Sequence, residues 1–172
     1  MKTLALVFAA ALFAAPVNRA IIGNVEASMN KRIQSLWPGE AYLLLGHAHG
    51  VYLDGYGCVF TARVNLAEGP GISPFRQQIS EADKAALRKR KLERLPVLKT
   101  AMQEMMISAA GAMDPLPAKE KIVLSVQLFH MPDEHTKDLP AQIVMEAPRE
   151  ALQAGLTGQK LKAMAAIAVK EF

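Results

Sequence analysis

Between Ala41 and Leu66 the chain reads AYLLLGHAHGVYLDGYGCVFTARVNL, two runs rich in Val, Tyr, Leu and Phe on either side of Asp54-Gly55. Asp-Gly in that setting is a strong short-range hairpin signal, because a two-residue type I′ turn needs positive φ at both central positions. A turn there fixes a register. Leu53 then faces Tyr56, Val51 faces Cys58, His49 faces Phe60, His47 faces Ala62, Leu45 faces Val64 and Leu43 faces Leu66. Side chains alternate along a strand, so these residues share one side, and their apolar majority marks it as the core side. The other side carries Thr61, Arg63 and Asn65 with Tyr42, Tyr52 and several small residues. A slip of one residue would exchange the two faces.

That register gathers His47, His49 and Cys58 on the core side. Histidines at i and i+2 of a strand project together, and Cys58 lies diagonally from His49 at roughly 7 Å, within side-chain reach. A tetrahedral zinc ion takes such donors, and His130 on another alternating run offers a fourth. The competing expectation is a packed, hydrogen-bonded pair of histidines among Leu43, Leu45, Val51, Leu53 and Phe60, with no group in view to orient the imidazoles. Cys58 as a nucleophile would need a neighbouring cation or helix N-terminus; without one it is a buried, inert thiol. No Gly-rich phosphate loop, nucleophile elbow, CxxC or HExxH occurs anywhere in the sequence.

The remaining segments supply the rest of a sheet and its cover. Ile22, Val25, Met29, Ile33, Leu36 and Trp37 recur at spacings of three and four, an amphipathic helix that Pro38-Gly39 ends. Glu68 to Gln78 holds two glycines and two prolines, an irregular loop that Phe75 plugs onto the core. Ser80 with Asp83 opens a long helix running to about Met113, with Leu92, Leu95, Leu98, Met102, Met105 and Met106 as its buried stripe. Pro96 inside it predicts a kink or a break. Lys121 to Met131 alternates as a strand, and Ala141 to Glu146 pairs antiparallel with it across a loop too short for a helical crossover. A short helix, Arg149 to Ala154, and a C-terminal strand, Ala165 to Glu171, complete the order. The expected class is α+β: a mainly antiparallel sheet of two hairpins plus the C-terminal strand, covered by helices in two layers.

Residues 1–20, MKTLALVFAAALFAAPVNRA, have the layout of a secretory signal: Lys2, an apolar run too short to span a bilayer, then polar residues. Cleavage is expected between Ala14 and Ala20, leaving residues 21–172 as one domain. Losing Lys2 and Arg19 and no acid lowers the formal charge from +4 to +2. About 150 residues bury enough surface for a self-sufficient core. Export would permit disulfides, yet the chain has a single cysteine, so the fold must rest on packing.

Two charged stretches complete the inventory. Lys84, Arg88, Lys91 and Lys99 fall on one broad side of the long helix, where they form either a solvated face or a surface for anionic lipid. No aromatic residues interleave with them for stacking on bases, and nucleic acid is not an expected partner. Asp133, Glu134, His135 and Asp138 crowd the loop between the last two paired strands, with a spacing that fits no established cation loop. The expected function is an exported, periplasmic or extracellular binding or envelope-accessory domain without a cofactor. The alternative is a zinc-binding or thiol-dependent enzyme using His47, His49 and Cys58.

Overall fold

The computed structural model describes residues 17–39, 43–69 and 79–172. Along them the order is α1 (Arg19–Gln34), β1 (Leu43–Leu44), β2 (His49–Leu53), β3 (Gly57–Asn65), α2 (Glu81–Ala112), β4 (Lys121–Leu128), β5 (Gln142–Pro148), α3 (Arg149–Gln153), α4 (Lys160–Ala165) and β6 (Ala168–Glu171). Residues 1–16, most of the expected leader, and residues 70–78, with Phe75, lie outside the described residues.

Local chemistry places the helix starts. The Asn18 side chain accepts the Ile21 N–H and caps α1, and the Ser80 hydroxyl accepts the Asp83 N–H and caps α2; each satisfies an N–H that the helix itself leaves unpaired. α2 runs unbroken for 32 residues through Pro96, so of the two alternatives expected there, a kink or a break, the break is absent. Pro96 and Val97 are exposed, so the turn that lacks the proline's N–H lies where water can reach it.

The strands form one mixed sheet in the order β1-β3-β4-β5-β6, with β2 also on β3. Most pairs are antiparallel, while β3 and β4 run parallel. The expected pair of hairpins is therefore joined differently from a simple meander: α2 is the crossover that returns the chain to the start of β4. Gly57 shows how close that return is. A Cβ there would stand 1.9 Å from the Lys121 carbonyl oxygen, and its φ of +134° suits glycine alone.

The turn at Asp54-Gly55 is present, but its length corrects the expected register. Leu53 pairs with Gly57, not Tyr56, so three residues make the connection. Gly55 takes φ +72° and the Tyr56 N–H reaches the Leu53 carbonyl at 3.0 Å. β2 is thereby shifted by one: Tyr52 faces Cys58, Gly50 faces Phe60 and His49 faces Thr61. A second irregularity separates β1 from β2. Leu44 pairs with Val64 and His49 with Thr61, so residues 45–48 oppose only residues 62–63. The surplus is taken up at Gly46, φ +90°, a bulge that re-aims the side chains beside it.

Core side chains come from one side of the sheet. Cys58, Phe60, Ala62 and Val64 of β3, Ile122, Leu124, Val126 and Leu128 of β4, and Ile143, Met145 and Ala147 of β5 form one cluster with Ile22, Val25, Met29 and Ile33 of α1 and Leu95, Leu98, Met102, Met105 and Met106 of α2. Trp37 lies past the end of α1 rather than on it, still buried, with the Arg94 guanidinium 5.1 Å over its ring. At the C-terminus α4 extends to Ala165, so β6 begins at Ala168, later than the alternation predicts.

Candidate functional site

The three groups expected to converge on the hairpin do not. Cys58 is fully buried on the core side, whereas His49 sits opposite Thr61 on the other side of the sheet and is exposed. His47, in the bulge, is exposed as well. The cause is the one-residue longer turn, which moves β2 but not β3 to the opposite alternation. His130 follows the end of β4; its Nε2 is 3.1 Å from the Pro140 carbonyl and its Nδ1 is 3.7 Å from Glu134 Oε2. Among the described residues no three His, Cys, Asp or Glu side chains are grouped to hold a metal ion.

The surroundings of Cys58 oppose a nucleophilic role. Burial first, and the Glu120 carboxylate second, push its thiol up to about 12, so it stays protonated at neutral pH. The same carboxylate sits 3.4 Å from the Tyr52 hydroxyl, which burial, Glu120 and Asp54 together push up to about 12. Activation of the thiol would require a cation there, and the nearby charge is an anion.

The two charged stretches meet each other. Lys84 pairs with Glu81 at 2.8 Å, Arg88 with Asp138 at 2.6 Å, Lys91 with Glu134 at 2.5 Å and Lys99 with Glu171 at 2.6 Å. Lys91 is fully buried rather than displayed on a solvated face. Three of the acceptors belong to the loop after β4 or to β6, so the row that could have met a polyanion is engaged within the molecule.

What the hairpin does present is the sheet face away from the core. Strand pairing arranges it in cross-strand rows: Leu53 beside Gly57 and Lys121, Val51 beside Val59 and Val123, His49 beside Thr61 and Ser125, then Arg63 beside Gln127 and Gln142. Leu53, Val51, Val59 and Val123 give the first rows an aliphatic patch, bounded on the β4–β5 side by the Lys121–Glu146 ion pair, and the last rows are polar. Leu45, Gly46, His47, His49, Thr61, Arg63, Ser125, Gln127 and Gln142 line a cleft of about 320 Å³ over the polar rows. Its lining contains one formal charge, Arg63, and no carboxylate. On the far side of the histidines, toward α1, Arg19, Glu26, Asn30 and Lys31 join His47 and His49 around a second, shallower depression.

α1 secures the strand that bounds both. Glu26 accepts the Gly50 N–H at 2.7 Å, Asn30 accepts the Ala48 N–H at 2.7 Å, and Arg19 reaches the Gly50 carbonyl at 3.1 Å. Burial raises the Glu26 carboxyl, but the Arg19 guanidinium, the Gly50 N–H and His49 outweigh it and hold the group below its ordinary value. Thr61 and Arg63 were assignable to this face by alternation along β3. Ser125, Gln127 and Gln142 were not assignable to the same cleft, because only the parallel pairing of β3 with β4 brings them there.

The fold and cleft define an α+β domain whose outer sheet face carries a small aliphatic patch beside a polar cleft. Compared with known proteins, the chain matches no family model, no curated protein and no solved structure.

Proposed function

We propose that the chain is an exported, non-enzymatic binding domain that seats a protein or envelope component on the sheet face away from α1 and α2. The observation that carries this is a pair of exposed aliphatic side chains on that face, Val51 at 50% and Leu53 at 46% exposure. They adjoin Val59 and Val123 and are bounded by the Lys121–Glu146 ion pair on one side and the polar rows of the cleft on another, a small apolar patch with a polar margin as at a protein interface. The arrangement we infer is two-layered, helices on one side and an open sheet on the other. Export fits a leader that ends ahead of Val17, because Asn18 caps α1 and Arg19 bonds Glu26 and Gly50. The rival, zinc-dependent or thiol-dependent chemistry at His47, His49 and Cys58, has less support, since those groups occupy opposite faces.

Passing an envelope extract over the immobilised chain and over Val51→Asp and Leu53→Asp variants tests the proposal. The native chain is expected to retain a defined component that either variant, still folded by circular dichroism, holds about tenfold less well. Equal capture by native chain and variants would remove the interface. Stoichiometric zinc in natively purified protein, lost in His49→Ala, would favour the rival instead. An intact mass of the exported chain is expected to retain Asn18 and Arg19.

A further inference from the structure

We propose that the cleft over the polar rows binds an oxyanion, a carboxylate or a phosphate group, through the Arg63 guanidinium with the Ser125 hydroxyl and the Gln127 amide. This rests on the open face being the binding side and names the chemistry of what its polar half receives.

Arg63 is the anchor. Among the described residues, Arg19, Arg32, Arg88 and Arg149 each meet a carboxylate, whereas Arg63 meets none. Its guanidinium stands 5.2 Å from the Phe129 ring. That stacking restrains the long side chain while leaving the N–H groups at the guanidinium edge free to donate. A planar fork held over a cleft without acids is suited to a bidentate oxyanion, and the ordering that such binding costs is partly met beforehand.

The neighbouring groups add donors. Gln142 Nε2 donates to Ser125 Oγ at 2.7 Å, which leaves the Ser125 hydroxyl hydrogen available to a ligand. Gln127 stands directly beside Arg63 across the β3–β4 pair, and it is exposed. His47 and His49 close the cleft on the β2 side. Glu26 of α1, which bonds the Gly50 N–H behind these histidines, is already engaged by Arg19 and lines the depression on the α1 side rather than the cleft. A volume of about 320 Å³ admits a small acid or the charged end of a larger ligand.

Amide spectra of the isotope-labelled chain, recorded at constant ionic strength, test this with two probes, acetate and inorganic phosphate. Saturable shifts are expected at Thr61, Arg63, Ser125 and Gln127, weakened about tenfold or more in Arg63→Gln. Arg90→Gln, an exposed arginine on α2 away from the cleft, is expected to bind as the native chain does. Saturation by acetate alone identifies a carboxylate ligand, and by phosphate alone a phosphate; either supports the site. Shifts that stay linear with both probes, or equal affinity in Arg63→Gln, overturn it. Val51→Asp separates this result from the interface itself. If it loses capture of the envelope component while neither anion binds the native chain, the interface stands and the cleft falls. If anions bind and capture is unaffected by Val51→Asp, the cleft stands alone.

Discussion

At Gly50 the chain has room for a hydrogen and little more: a Cβ there would stand 2.5 Å from a ring carbon of Phe60 and 2.7 Å from a methyl carbon of Ile22. Phe60 is fully buried, and Gly50 is the residue paired with it. Gly50→Ala must push the ring or α1 aside, which is expected to cost about 1–3 kcal/mol, as overpacking does. Gly23, on α1, has nothing within 4 Å of where a methyl group would stand, and the same substitution there is expected to gain about 0.5–1 kcal/mol from helix propensity. Urea unfolding of both variants checks the pair, and a Gly50→Ala protein as stable as the native one would show that the ring and helix are not packed this way. The turn at Asp54-Gly55 was legible in the sequence, and the alternation of β3 was too, including Thr61 and Arg63 on the outer face. The faces of His47 and His49 were not, because a register depends on counting residues through the turn, and Tyr56 joined the turn while Gly46 opened a bulge. Nothing in the composition of the hairpin distinguishes a two-residue connection from a three-residue one, yet the difference decides which side of the sheet two histidines occupy.

Among the elements, α2 and the loop after β4 are joined by an ion pair that has left water. Side chains of Lys91 and Glu134 are 1% and 5% exposed, and Lys91 Nζ also donates to the Phe129 carbonyl at 3.1 Å. Glu134 Oε1 and His130 Nδ1 are buried without a hydrogen-bond partner. The pair therefore holds the loop in place at a desolvation cost that its own attraction only partly offsets. Removing one partner is worse than removing both. Lys91→Met is expected to destabilise the fold by about 3–5 kcal/mol by stranding Glu134, and Lys91→Met with Glu134→Leu to recover most of that loss. A double-mutant cycle in urea measures it, and additive effects of the two changes would show that the carboxylate and ammonium are not coupled. The ends of α2, Ser80 and about Met113, were readable, since caps and helical periodicity act locally. Its role as the crossover between parallel strands was not, because pairing of β3 with β4 is decided by side chains far apart in sequence. The same distance hid the meeting of the basic row with the acidic loop, two stretches that read separately as candidate surfaces.

Across the whole molecule, three glutamates bind elements that the chain brings together from different places. Glu26 ties α1 to β2 through Arg19 and Gly50. Glu104 of α2 holds Arg32 of α1 at 2.6 Å and Lys160 of α4 at 2.6 Å, and Glu146 of β5 holds Lys121 of β4 at 3.2 Å and Lys170 of β6 at 3.4 Å. Hydrogen bonds from Lys160 and Arg32 lower the Glu104 carboxyl below its ordinary value of 4.5; the Lys121 hydrogen bond, with the charges of Lys121 and Lys170, does so for Glu146. Glu26 is lowered as well, its partners outweighing burial. A carboxyl whose folded pKa lies below its unfolded one binds fewer protons when folded, so its stabilisation is complete above the unfolded value and is lost as pH falls through the folded one. Stability is therefore expected to hold level from neutral pH down to about 5 and to decline as acid is added below about 4.5. The partners are largely solvated, which limits each group to about 0.2–1 kcal/mol. Glu104→Gln, which keeps the shape and removes the titration, is expected to lower stability slightly at neutral pH and to flatten the acid decline. Urea midpoints of both proteins across the acid range decide the matter. Parallel declines would assign the acid sensitivity to other groups, and a native midpoint unchanged in acid would remove the glutamates as the links that hold α1, α2, α4 and the sheet in register.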